Sequence, residues 1–213
     1  MKGTQTLYWD DLNGQPLVMT WVYYPQQATI PDLSQTNTVF AWNLPTNQSS
    51  GYDQYDLMMS ALSFNTPSPV NFNFTHVLSK VKVRIVANGF TSQELSGMTL
   101  TLNNFVVDGS ASLSTGTATG TTTRKDVIPY LDESVSEYSA LVMPQTIQAG
   151  TDVVTITLSG YQNVPFVGTL DNNLTFVAGK QNVITVTLQK TAVQISATLE
   201  EWTDGPGGSV IIQ

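Results

Sequence analysis

From Met98 to Gln189 apolar residues alternate with small polar ones at a period of two, in MTLTLNNFVV (98–107), SALVMPQTI (139–147), DVVTITLSG (152–160), NLTFVAG (173–179) and NVITVTLQ (182–189). Successive side chains of an extended strand point to opposite faces, so each stretch puts one face on a core and the other in water. Between them stand NGF at 88, SGM at 96, VDGS at 107, AGTD at 149, DNN at 171 and AGKQN at 178. These residues tolerate positive φ or hydrogen-bond their own backbone, which is turn chemistry. Short strands punctuated at roughly 8–12 residues predict an all-β sandwich or barrel. A period of 3.6 never persists for three turns. Helix is expected at most as single turns within Asp53 to Leu62 and Asp132 to Tyr138.

The chain has 213 residues, 41% of them hydrophobic and 11% charged, enough for one large or two small domains with a real core. Charge is scarce against the usual quarter or so, and Thr, Ser, Asn and Gln carry the polar surface, which favours an extracellular β-protein over a cytosolic enzyme. A net charge of -8 gives no footprint for nucleic acid or anionic lipid. The absence of cysteine excludes disulfides, thiolate catalysis and Cys-based zinc sites. No apolar run approaches the ~20 residues that span a bilayer. The start, MKGTQTLYWDD, lacks the apolar centre of a secretory signal, so either the protein stays inside or its exported form began further upstream. The two prolines of TPSP (66–69) resist helix and ladder alike and suggest a boundary: 1–66 a partial N-terminal β-sandwich domain, 67–213 a C-terminal one. The Gly/Thr-rich LSTGTATGTTT (113–123) reads as a mobile hairpin tip or loop.

The stretch NFNFTHVLSKVKVRI (71–85) holds the single histidine and three of the eight basic residues. Phe72, Phe74, His76 and Leu78 share one face and Val81, Val83 and Ile85 the other, so the buried face changes between Leu78 and Val81. That requires a bulge near Ser79 or a strand that leaves one sheet for another. Lys80, Lys82 and Arg84 then share the wet face, where acidic cross-strand neighbours can meet them. His76, on the apolar parity, is expected to be a core histidine with a satisfied hydrogen bond. There is no GxSxG elbow and no phosphate loop, and one histidine would have to serve any triad. Asp10/Asp11, Asp132/Glu133 and Glu200/Glu201 are adjacent, hence on opposite faces of a strand. Asp171 to Asn173 is turn chemistry rather than a calcium loop. No catalytic, cofactor-binding or metal-binding residue is expected. Trp9, Trp21 and Trp42 crowd the first 42 residues, as core or as a glycan-facing platform. After Trp202 the Gly-rich breaker at 205–208 precedes Ser209, Val210, Ile211 and Ile212, a short apolar strand.

In order, FNFTHVLSKVKVRI, ALVMPQTIQAG, LTFVAGKQNVITVTLQK and ISATLEEWTDG resemble the strand motifs of the fimbrillin-like surface proteins, which include type V pilus subunits. Upstream, YWDDLNGQPLVMTWVYYP and YDQYDLMMSA look like the second half of that family's N-terminal domain. The resemblance implies two Greek-key, transthyretin-like β-sandwich domains, the N-terminal one incomplete. It also implies export as a lipoprotein to the outer membrane and fimbrium, and a non-enzymatic pilus or adhesion subunit that polymerises with other fimbrial subunits by strand donation. The lipoprotein signal and the first strands of family precursors are absent here. A missing strand leaves backbone N–H and C=O groups uncovered until another strand fills the gap, which is β-augmentation. Ser209 to Ile212 would be that donor, or would close its own sheet. The alternative function is a monomeric surface module that binds host or bacterial glycans or proteins through Trp9, Trp21 and Trp42.

Overall fold

The alternation is realised as strands in the computed structural model, which describes residues 18–26, 39–64, 70–161, 165–190, 192–202 and 211–212. In chain order come β1 (Val18–Tyr24), β2 (Val39–Asn43), a 3-10 turn (Asp53–Tyr55), β3 (Met58–Phe64), β4 (Val70–Asn71), β5 (Thr75–His76) and β6 (Ser79–Asn88). Next are β7 (Met98–Phe105), β8 (Asp108–Ser112), β9 (Thr117–Gly120), β10 (Lys125–Val127), β11 (Tyr130–Asp132) and β12 (Glu137–Val142). The last are β13 (Gln145–Ile147), β14 (Asp152–Leu158), β15 (Pro165–Thr169), β16 (Leu174–Phe176), β17 (Lys180–Gln189), β18 (Ala192–Glu201) and β19 (Ile211–Ile212).

Two sheets make the sandwich. One has five strands in the order β11-β12-β6-β17-β18, the other four in the order β10-β7-β14-β15. Only β6 and β17 run parallel; the remaining pairs are antiparallel. Register aligns the apolar rows: Ile184 lies opposite Val83 and Val186 opposite Ile85 in the first sheet. Leu102 lies opposite Val154 and Leu100 opposite Ile156 in the second. These inner rows meet in one buried cluster, and each fully buried Val, Leu or Ile contributes roughly 1.5–3 kcal/mol. At Gly168 of β15 the two sheets leave no room for a side chain: a Cβ would stand 2.3 Å from Ile195 Cδ1 of β18 and 2.7 Å from Val154 Cγ1 of the neighbouring β14. A side chain larger than hydrogen there would push β15 off β18.

The boundary expected at residues 66–67 lies outside the described residues. On either side of it, β3 pairs with β5 through Met58–His76 and Met59–Thr75, and β2 pairs with β8 through Trp42–Gly109. Trp42, Leu44, Tyr52, Leu57 and Met59 belong to the same buried cluster as the later strands. The parity change between Leu78 and Val81 is a change of sheet. Val77 N donates to Leu57 O on the β3 side, while Leu78 O accepts from Gly179 N on the β17 side. Val77, Leu78 and Ser79 are consecutively buried because both sides are covered at this crossing. Phe74 departs from the expected face and is 41% exposed; β5 is only two residues long, so the alternation does not extend back to it.

Within the Thr-rich 113–123 stretch the structure places a strand, β9, as the return arm of a hairpin with β8, Ser112 opposite Thr117. Asp132 to Tyr138 is likewise a hairpin between β11 and β12, with Asp132 opposite Glu137. The Asp132 carboxylate accepts from Ser134 N at 3.0 Å and Ser134 Oγ at 2.6 Å, which favours the turn over a helical start. Between Asp53 and Leu62 the helical turn is confined to Asp53–Tyr55, and β3 follows.

A buried glutamine seals one edge. β11 accompanies β12 only as far as the Tyr130–Ser139 pair, which leaves the backbone of Leu141 to find another partner. Gln48, fully buried, supplies both halves: its Nε2 donates to Leu141 O at 2.9 Å and its Oε1 accepts from Leu141 N at 2.8 Å. Gln48→Leu keeps the volume but orphans two buried backbone groups, a loss of about 3 kcal/mol. The measurement is urea unfolding, with a lower midpoint at unchanged slope; an unchanged midpoint would refute this role.

Candidate functional site

Polar and aromatic side chains gather on the outer face of the five-stranded sheet, where Lys80, Lys82 and Arg84 of β6 face Leu141, Ser139 and Glu137 of β12. Glu137 is the acidic cross-strand neighbour: Oε1 lies 2.7 Å from Lys82 Nζ and Oε2 2.8 Å from Arg84 Nε. Burial alone would push its carboxyl up. The hydrogen bonds and charges of Lys82 and Arg84 outweigh that and hold it below its ordinary value. The row is not uniformly wet. It grades from half-buried Lys80 and Lys82 to exposed Arg84, because the segment carrying Gln48 and Tyr52 crosses the sheet beside Lys80.

Lys80 meets aromatic rings instead of a carboxylate. Its Nζ is 5.1 Å from the Tyr52 ring centroid and 5.5 Å from that of Trp202, contacts worth roughly 0.5–2 kcal/mol each. Trp202 also stacks on His76, with centroids 3.6 Å apart and planes 9° from parallel. His76 Nδ1 in turn lies 2.9 Å from Asp56 Oδ2 and 3.0 Å from Asp56 Oδ1. The column Tyr52, Lys80, Trp202, His76, Asp56 therefore ties the segment around the 3-10 turn, the β5–β6 crossing and the end of β18 together. It fixes the point from which the chain continues past Trp202.

The other anticipated residues fall in different places. Trp42 is 3% exposed, and its indole N–H donates to Tyr55 O at 3.2 Å. Its ring packs edge-on to Phe40 at 6.0 Å. Trp21 is in β1, opposite Ala61. Trp9, Ser209 and Val210 lie outside the described residues. Ile211 and Ile212 form β19, opposite Asn71 and Val70 of β4. Among the described residues no three His, Cys, Asp or Glu side chains gather as a metal site.

What the sequence reading missed is an edge. β18 is ten residues long, AVQISATLEE, and among the described residues its outer side has no strand partner. Lys and Pro, which blunt such edges, are absent from it, and its only charges are Glu200 and Glu201 at one end. The signal was available in that composition.

Strand-fastening side chains on a two-sheet sandwich define a β-structural protein. The chain belongs to the fimbrillin-like family, whose model matches residues 3–202. It is 30% identical over 202 residues to a Bacteroides uniformis protein named as the fimbrium subunit Fim1C, covering 87% of this chain and 62% of that one. The chain thus spans a little under two thirds of that relative's length. The fold is similar to a Bacteroides uniformis protein described as a cell adhesion protein, with 28% identity, a TM-score of 0.71, and coverage of 87% of this chain and 73% of the other. A Bacteroides ovatus protein, also described as a cell adhesion protein, shares the fold at 19% identity and a TM-score of 0.69, with 89% and 69% covered.

Glu137→Gln leaves Lys82 and Arg84 without their counter-ion and costs about 2 kcal/mol at neutral pH. Because the folded carboxyl lies below its unfolded value of about 4.3, its contribution is complete above that value and is lost as pH falls through the folded one. Wild type and variant should therefore differ in urea midpoint at pH 7 and converge as the pH falls below about 4.3. A gap that stays constant across this range would remove the charge from the explanation.

Proposed function

We propose that this chain is a non-enzymatic fimbrial subunit, or fimbria-like adhesion protein, of the cell surface and outer membrane, assembling with other fimbrial subunits by β-strand donation. The observation that carries the reading is β19. It is held to β4 by two register pairs, and a backbone hydrogen bond contributes only about 0.5–1.5 kcal/mol net. A tail so lightly held gains by moving to a longer edge on a neighbour. The column around Trp202 supports this, since it fixes where the tail departs while the tail itself exchanges. The open edge of β18 supports it from the acceptor side. In this reading Ser209 to Ile212 is the donor segment, 67–213 is a Greek-key, transthyretin-like sandwich domain, and 1–66 is a partial N-terminal domain of the same kind.

Strand-donated polymers dissociate slowly without heat. Native surface extract run unheated on a denaturing gel should give a ladder of regularly spaced bands that collapses to one on boiling. Deletion of Gly208 to Gln213 should abolish the ladder and leave a folded monomer. An unheated single band from wild type would overturn polymerisation, and a deletion that unfolds the monomer would show that the tail closes its own sheet.

A further inference from the structure

At the end of the sandwich where β6 and β17 finish, three segments bring together an aromatic cluster that the strand-exchange reading does not use. Phe90 follows β6, Tyr161 follows β14, and Phe166 is in β15. Phe90 packs edge-on to Tyr161 at 5.3 Å and to Phe166 at 5.9 Å, and Tyr161 stacks on Phe166 at 6.2 Å. All three rings are half-buried against the core, so their positions are set by packing. Into this corner Lys190, the residue after β17, directs its ammonium, 5.4 Å from the Tyr161 centroid and 5.7 Å from that of Phe90.

The carboxylate that completes the corner is held independently of the lysine. Glu94 Oε2 accepts from Thr91 N at 2.8 Å and Thr91 Oγ1 at 3.1 Å, and Glu94 N donates back to Thr91 Oγ1 at 3.3 Å. This reciprocal turn leaves Oε1 for the ammonium of Lys190, 2.8 Å away. The hydrogen bond from Lys190, followed by that from the Thr91 amide, draws the Glu94 carboxyl down to about 2, so it is ionised at any physiological pH. Rings and carboxylate are thus built without Lys190, whose own side chain is 41% exposed and tethered at a chain turn. Withdrawing it would uncover a corner already shaped for an ammonium on an alkyl stem.

We propose that Phe90, Tyr161, Phe166 and Glu94 form a receptor for a lysine side chain, which Lys190 fills within the chain and a lysine of a partner protein fills when Lys190 swings aside. The occupant is identified by the one already seated. A primary ammonium donates to Glu94 while its methylenes and charge lie on the rings, and a chain of net charge -8 attracts a basic partner. A quaternary ammonium could use the rings but not the hydrogen bond to Glu94.

The test uses the full chain carrying Lys190→Ala, with Lys190→Ser as a second variant, both verified as folded by circular dichroism. Probes are Nα-acetyl-lysine methylamide and tetramethylammonium, followed by aromatic-ring NMR shifts of Tyr161 and Phe90. The lysine amide should give saturable shifts in both variants, about tenfold tighter than in wild type, and a further Glu94→Gln change should weaken it about tenfold. Tetramethylammonium should bind more weakly than the lysine amide. No saturation in the folded variants, indifference to Glu94→Gln, or tighter binding of tetramethylammonium would each overturn a lysine receptor, the first two by reducing the cluster to a clasp between loops.

Discussion

The parallel pairing of β6 with β17 governs the rest of the structure. Its nine register pairs run from Lys80–Gln181 to Asn88–Gln189. Two parallel strands cannot be joined by a tight turn, so the chain must leave the end of β6, cross the molecule and return to the end at which β6 begins before β17 can start. The excursion between Asn88 and Lys180 holds the four strands of the second sheet, and also β11 and β12, which return to the first sheet beside β6. β7, β14 and β15 lie over the inner row of Val81, Val83, Ile184 and Val186 because the connection carries them there and their apolar rows need that cover. The outer row carries Lys80, Lys82 and Arg84 on one stripe, and the antiparallel register of β6 with β12 places Glu137 beside it.

The long alternating stretches were legible because a half-buried strand writes its period into the residues. β7, β14 and β17 fall within the stretches that alternate, or within two residues of them. Legibility fails where strands are held by neighbours rather than by an apolar row. β9 has only Ala118 as an apolar residue, so nothing in its composition separates strand from loop; pairing with β8 decides. The hairpin at Asp132 to Glu137 was ambiguous because Asp and Ser cap helices and turns by the same side-chain acceptors. The role of Gln48 had no local signal, since a side chain that imitates a missing strand depends on where the neighbouring strand stops.

The candidate site divides in the same way. The basic row and the parity of His76 follow from alternation, and the switch of sheets at Leu78 to Val81 follows from its interruption. The partners do not. Glu137 is 53 residues from Arg84 in sequence, and the stack of Trp202 on His76 joins the last described turn of the domain to its first crossing. Those contacts exist only once the parallel pair has brought β6 beside β17 and β18 beside β17, so no window of sequence contains them.

A contrast between side-chain and backbone chemistry follows. Basic side chains are largely consumed internally: Lys82 and Arg84 by Glu137, Lys190 by Glu94, Lys125 by Asp108 and Lys180 by Glu201. Acidic side chains remain in excess, so few cations are left to read an acidic partner. In the strand-donation proposal recognition rests instead on the edge of β18, unpaired among the described residues, and on the tail strand, and backbone ladders are indifferent to side-chain identity. Subunits that join through ladders can diverge in surface sequence while keeping the joint, provided the alternation and the crossing at β6 are kept.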